Sequence, residues 1–312
     1  MLNNKIKIGI LGSTGHIAKG LIYGFQGRED YELHLFGRSR ERMECFINVT
    51  KCRITSIQDY YSFYDANFDV IINCVGIGDP AILRESPELI LNVTEEYDNL
   101  IINYLKTKND AVLYINLSSG AVFGSEFSEP VNDGTLTKLN MNYVSSEQFY
   151  SIAKIHSEAK HRALAKFNII DLRIFGYFSR FMELEKQFFL SDVLNCLKTN
   201  KILYTNPTNI IRDYLHFKDL VDLIKLCIVN KGINDAYDVY SKKPITKFEI
   251  IDFYKTNYGL EYIVEQGTNY ASITGNKNLY FSNNYKARRL GYNPNLTSLE
   301  CIIGETQSIL GY

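Results

Sequence analysis

The sequence predicts an open, doubly wound parallel α/β sheet carrying a smaller C-terminal unit. Three observations point there. Short Ile- and Val-rich strands alternate with helix-length segments, the first strand runs into a glycine-rich turn, and the rhythm changes after about residue 176. Strands buried on both faces read as near-continuous apolar runs, which a parallel sheet between two helical layers requires.

"KIKIGILG" (5–12) is a short apolar strand ending in glycine, preceded by a polar start without the apolar stretch of a signal peptide. "YELHLFG" (31–37), "FDVIINCVG" (68–76), "AVLYINLSSG" (111–120) and "NIIDLRIFG" (168–176) repeat the form. Helices are expected between them, the clearest at 86–106 and 146–167. Beyond 176, the stretch 178–200 reads as helical, and "RDYLHFKDLVDLIKLCIVNKG" reads as a strand edge and a helix. A strand, turn and helix follow from "DAYDVYSKKPITKFEI", then a short helix, a turn and a final helix. The expected division is 1–176 for a dinucleotide-binding unit with the chemical residues. Residues 177–312 are mainly a substrate-binding subdomain, with 205–232 packing back on the sheet.

Composition fits that architecture. The 312 residues are 46% hydrophobic and 22% charged, with 34 Lys plus Arg against 35 Asp plus Glu. This balance speaks against nucleic acid or a membrane surface as partner. The six cysteines form no Cys-x-x-Cys and are expected as dispersed buried hydrophobes; no metal site is expected from five histidines without a His-x-x-x-His pair. No apolar run reaches spanning length, so a cytoplasmic protein is expected.

In "GILGSTGHIAKG", Gly12, Gly15 and Ala18 have the spacing of a dinucleotide-binding turn of the Rossmann type. Gly12 allows a tight turn, Gly15 lets backbone approach a pyrophosphate, and small Ala18 permits close helix packing. Gly12, Ser13, Thr14, Gly15, His16 and Ile17 are therefore the candidate phosphate-binding residues. A site for NAD usually places Asp or Glu after the second strand. Here stand Phe36, Gly37, Arg38 and Ser39, with Arg42 following. Arg38 can grip the 2′-phosphate of NADP, so NADP (as NADPH) is expected over NAD; a solvated basic turn is the plainer reading of the same residues.

Tyr150 and Lys154 lie one helical turn apart in "YSIAK", and Ser119 ends the preceding strand in "LSSG". A carbonyl receiving hydride at carbon must gain a proton at oxygen. A phenol can give it if an ammonium stabilises the phenolate left behind, while a serine hydroxyl holds the oxygen in place. Singly, each is more often a core, surface or capping residue; in this order after a nucleotide loop they form a candidate catalytic set. Tyr143 is the nearest competitor but lacks a lysine four residues on.

The motifs "GSTGHIA", "VIINCVG", "LSSGAVFG", "YSIAK", "LRIFG", "RDYLHFKDLVDLI", "YDVYSKKPITKFEI" and "ARRLGYNPNLTSLE", in that order, resemble an extended short-chain dehydrogenase/reductase of the nucleotide-sugar epimerase/dehydratase branch. The resemblance implies Ser119 as the substrate hydroxyl-binding residue, Tyr150 as acid/base and Lys154 as its lysine, with Tyr150 and Lys154 also against the cofactor. It implies Val75 and Gly76 along the cofactor channel and Arg212 on the sugar-nucleotide pyrophosphate. A salt bridge from Arg212 to Asp213 or Asp219 is the structural alternative. It further implies a homodimer contact through 86–106 and 146–167. Gly176 stands where many relatives carry a substrate-contacting Asn. The Ser119-Gly120-Ala121 loop lacks the Asp-Glu pair of the 4,6-dehydratases, which disfavours dehydration. The expected activity is NADP-dependent reduction of a nucleotide-linked 4-keto-6-deoxyhexose at C4. The alternatives are a 4-epimerase with tightly bound NAD and a non-catalytic dinucleotide-binding regulator.

Overall fold

Strand β1 (Ile6–Leu11) turns Ile8 and Ile10 into one apolar layer; a Cβ at Gly9 would stand 3.1 Å from the Phe68 ring of another. This two-sided burial recurs along a computed structural model that describes residues 5–230, 232–266 and 277–311; the polar start at 1–4 lies outside them. After β1 come α1 (His16–Gly24), β2 (Tyr31–Phe36), α2 (Arg40–Thr50), β3 (Ser56–Gln58), β4 (Val70–Asn73) and α3 (Pro80–Glu85). Then follow α4 (Leu89–Thr107), β5 (Leu113–Ser119), α5 (Ser146–Ala163) and β6 (Ile169–Ile174).

The second part contributes α6 (Phe189–Thr199), β7 (Leu203–Thr205), β8 (Ile211–Arg212), α7 (Phe217–Val229) and β9 (Asn234–Val239). It ends with β10 (Ile245–Thr246), α8 (Lys247–Tyr258), β11 (Tyr262–Val264), β12 (Leu279–Tyr280) and α9 (Ser298–Leu310).

Seven strands form one sheet in the order β3-β2-β1-β4-β5-β6-β9, and every pair in it is parallel. The fold is thus the doubly wound α/β class expected. On one face Leu35, Ile72, Ile115 and Leu172 meet Leu21 of α1 and Leu220 and Ile224 of α7. On the other, Ile71, Tyr114 and Ile169 meet Ile101, Tyr104 and Leu105 of α4 and a knot of Phe36, Phe63 and Phe68. Strand order reverses between β1 and β4, so the crevice at their carboxyl ends is the natural ligand site.

The chain returns to this sheet after leaving it: α7 packs on α1, and β9 is its seventh strand. Elsewhere the second part builds a separate core from Leu190, Val193, Ile250, Tyr254 and Ile302, with small sheets β10-β8-β12 and β11-β7. The helix expected over 178–200 begins only at Phe189. Residues 177–180 are taken by tertiary contacts instead: Tyr177 bridges Leu215, Ser179 meets His16, and Arg180 pairs with Glu305. Cys52, Cys227 and Cys301 are buried as expected, whereas Cys45 is exposed on α2. No helix among the described residues is long and apolar enough to cross a membrane.

Candidate active site

The glycine-rich turn follows from close packing. Gly12 has φ +73°, and a Cβ there would lie 2.9 Å from the backbone of Cys74 and Val75 at the end of β4. Gly12 therefore answers both a left-handed backbone and a neighbouring strand. Ser13 is spent on holding the sheet: its hydroxyl donates to the Ile10 carbonyl (2.7 Å) and accepts the Phe36 amide, while its own amide bonds the Phe36 carbonyl. Gly15 caps α1 with backbone alone, and no side chain caps that helix. Its first-turn amides are free to receive phosphate oxygens, so this turn fits a pyrophosphate. Ala18 is fully buried, as a small residue at that position should be.

His16 and Ile17 open the helix, and Thr14 lies beside Gly37. The His16 ring is 2.9 Å from the Ser179 hydroxyl, and burial pushes its pKa down to about 4, so it is neutral near pH 7. Val75 donates its amide to Asn73 Oδ1, and nothing fills the space over Gly76. Tyr60, which was not expected here, accepts the Gly12 amide at 3.1 Å and meets the Tyr97 ring at 4.6 Å. Burial raises the pKa of both phenols, and the charge of nearby Arg38 acts against it on each. Arg40 pairs with Glu44 and Arg42 with Glu183; Arg38 is exposed and makes no ion pair among the described residues.

The chemical residues gather at the end of β5. Ser119 is its last residue, and its hydroxyl accepts the Ala121 amide at 3.2 Å, starting a short turn that carries the chain away. Gly120 is required there, because a Cβ would stand 2.4 Å from the Phe175 ring. Helix α5 is stopped upstream by a capping box of Ser145 and Gln148, which sets the register of Tyr150 and Lys154. Lys154 is 4% exposed, donates to the Leu117 carbonyl at 3.2 Å, and has its ammonium 5.9 Å from the Tyr150 ring centroid. Tyr143 is 81% exposed on a separate turn.

Two cations flank this centre. Arg212 on β8 donates to the carbonyls of Ile211 and Lys277, and burial works against its charge. Neither expected carboxylate partner reaches it: Asp213 accepts from Ser241 and Ser298, and Asp219 from Asn295 and Leu296. Lys277, missed by sequence reading, places its ammonium 4.5 Å from the Tyr280 ring centroid and 6.0 Å from that of Tyr150. Burial first, and Arg212 second, push its pKa down to about 7. Among the described residues neither cation has a carboxylate partner, which fits a polyanionic ligand.

A buried chain of polar groups ties the two parts together behind the site. Ser118 donates to Glu158 (2.7 Å), Arg173 pairs with Glu158 (2.6 Å) and Asp238 (3.3 Å), and Ser282 donates to Asp238 (2.6 Å). Through it α5, β6 and β9 hold the segment that follows β12. Nothing in the local pattern of "NKNLYFS" marks Lys277 or Tyr280 as site residues. They arrive by strand pairing, Tyr280 opposite Arg212.

A family model described as the NAD dependent epimerase/dehydratase family matches residues 8–240. No curated protein matches the chain. Among solved structures, a UDP-N-acetylglucosamine 4-epimerase from Methanobrevibacter ruminantium, in complex with UDP-N-acetylmuramic acid, is 13% identical over 98% of each chain with a TM-score of 0.80. A UDP-glucuronic acid 4-epimerase from Bacillus cereus, with UDP-glucuronic acid and NAD, is 16% identical over 98% of this chain and 99% of that one, TM-score 0.79. A dTDP-glucose 4,6-dehydratase from Bacillus anthracis, in complex with NAD, is 16% identical over 97% and 96%, TM-score 0.76. At such identities the likeness is one of fold.

Proposed function

Because the chain belongs to the NAD dependent epimerase/dehydratase family of extended short-chain dehydrogenases/reductases, we propose that it uses NADPH to reduce the C4 carbonyl of a nucleotide-linked 4-keto-6-deoxyhexose. The observation that carries this reading is the meeting of Ser119, Tyr150 and Lys154 with Arg212 and Lys277, two basic groups that have no carboxylate partner among the described residues. The bound cofactor supplies hydride to the carbon. Ser119 donates to the carbonyl oxygen, and Tyr150 delivers the proton that the developing alkoxide needs. The Lys154 ammonium stabilises the phenolate that remains. Arg212 and Lys277 take the diphosphate, and residues 177–312 supply most of the substrate side. Arg38, exposed and without an ion pair among the described residues, supports NADPH, through the 2′-phosphate. Val93, Ile152 and Ile155, partly exposed on α4 and α5 and outside the core clusters, support a homodimer contact there.

A 4-epimerase retaining NAD is the second reading, favoured by the epimerases among the structural neighbours, whose chemistry could use the same three residues. The deciding experiment incubates purified protein with NADPH and a nucleotide-linked 4-keto-6-deoxyhexose. The expected result is one NADPH consumed per alcohol formed, with the free keto sugar a much poorer substrate. Copurified NAD, and interconversion of 4-epimers without net NADPH loss, would overturn it in favour of the epimerase.

A further inference from the structure

Ser119 has one proton to donate and two lone pairs to fill. Its oxygen accepts the Ala121 amide at 3.2 Å and lies 2.9 Å from the phenolic oxygen of Tyr280. What else each hydroxyl can reach decides which one donates. Tyr280 is 6% exposed, enclosed by Phe127 and Phe175, and Ser119 is the only side chain bonded to its hydroxyl among the described residues. If Ser119 donated to it, the phenol's own proton would be buried without an acceptor, an arrangement folded proteins avoid. The phenol therefore donates, and burial, which raises its pKa, keeps that proton in place.

With that direction set, both lone pairs of Ser119 are occupied and its one proton is left for a ligand. We propose that Tyr280 is a positioning residue that donates to Ser119 and so makes the serine a fixed donor to the substrate's carbonyl oxygen. The proposal rests on the reading of this site as one that binds a C4 carbonyl. Donation in series polarises each bond in the chain, so Tyr280 strengthens the serine as a donor as well as aiming it. The Arg212 guanidinium, 5.9 Å from the Tyr280 ring centroid, draws its electron density and makes its O–H a better donor, and Lys277 at 4.5 Å adds to this when protonated.

The test compares wild type, Tyr280→Phe, Ser119→Ala and the double variant. Tyr280→Phe keeps the ring against Phe127 and Phe175, and an unfolding midpoint within the range of wild type verifies that the packing survives. Its kcat should fall about five- to tenfold with KM little changed, as the loss of one hydrogen bond's worth of stabilisation. The double variant should be no slower than Ser119→Ala, because Tyr280 acts only through the serine. Independently of turnover, the carbonyl stretch of the nucleotide-linked 4-keto sugar, bound without reducing cofactor, should be lowered in wild type and move back towards the free value in Tyr280→Phe. Multiplying losses in the double variant, or a carbonyl band that is not lowered or ignores Tyr280, would overturn the proposal. A Tyr280-dependent band in a protein without reductase turnover would retain it and remove the proposed activity instead.

Discussion

Of the three arginines after β2, Arg40 and Arg42 are held by Glu44 and Glu183, while Arg38 stands exposed beside Tyr60 and Tyr97. Arg38→Ala should weaken NADPH binding roughly 10- to 100-fold, the value of a charge-assisted contact, and leave NADH binding nearly unchanged. Calorimetry with both cofactors reads this directly; equal losses would remove Arg38 from the 2′-phosphate. Tyr150→Phe should slow hydride transfer by about 10²–10⁴-fold in stopped flow at saturating ligands, since the missing hydroxyl is the proposed proton donor. A rate within about twofold of wild type would exclude that role. Tyr150 and Lys154 were legible from sequence because both lie on one helix, where spacing alone sets the geometry. Lys277 and Tyr280 were not, since β12 reaches the site only by pairing with β8.

Gly176 shows how neighbouring elements decide a residue that family resemblance leaves open. Its carbonyl accepts the Leu215 amide at 3.0 Å, and a Cβ there would stand 2.5 Å from the Asp213 carbonyl oxygen. The segment after β6 has closed onto the segment after β8, and the asparagine common in relatives has no room. Gly176→Asn should therefore destabilise the fold by about 1–3 kcal/mol, as overpacking does. Urea unfolding measures it, and an unchanged midpoint would mean that the two segments part easily. Contacts next to Gly176 explain why the helix does not begin at 178: helix propensity is a weak prior, and the backbone bridge of Tyr177 to Leu215, with the side chains of Ser179 and Arg180 held by His16 and Glu305, overrides it. The strands of the large sheet were legible because residues buried on both faces leave an apolar run that no surface loop would carry.

At the scale of the molecule, buried titrating groups on both sides of the sheet set its response to pH. His161 lies between Asp171 (2.8 Å) and Asp98 (2.7 Å); burial works to lower its pKa, but these partners outweigh it and raise it to about 9 from 6.5. A raised pKa means a contribution complete below about pH 6.5 and lost as pH climbs through about 9. His16 is the opposite case: burial lowers it to about 4, so its contribution is present above about 6.5 and lost as pH falls towards 4. Glu305 is opposed by burial, but bonds from His216 and Arg180 bring it to about 2, a contribution present above 4.5 and lost on acidification towards 2. The unfolding midpoint should be highest near pH 6.5 and fall on both sides, and His161→Asn should flatten the alkaline limb. An unaltered limb in that variant would place its cause elsewhere. The sequence by itself determined the α/β class, the glycine turn and the placing of Tyr150 and Lys154 one turn apart on one helix, because these follow from period, turn chemistry and spacing within single elements. Only the tertiary structure decided the strand order, the entry of β9 into the large sheet as its seventh strand, and the arrival of Lys277 and Tyr280 beside one serine. Those depend on which distant segments bury each other's surfaces, and no local pattern of residues encodes that choice.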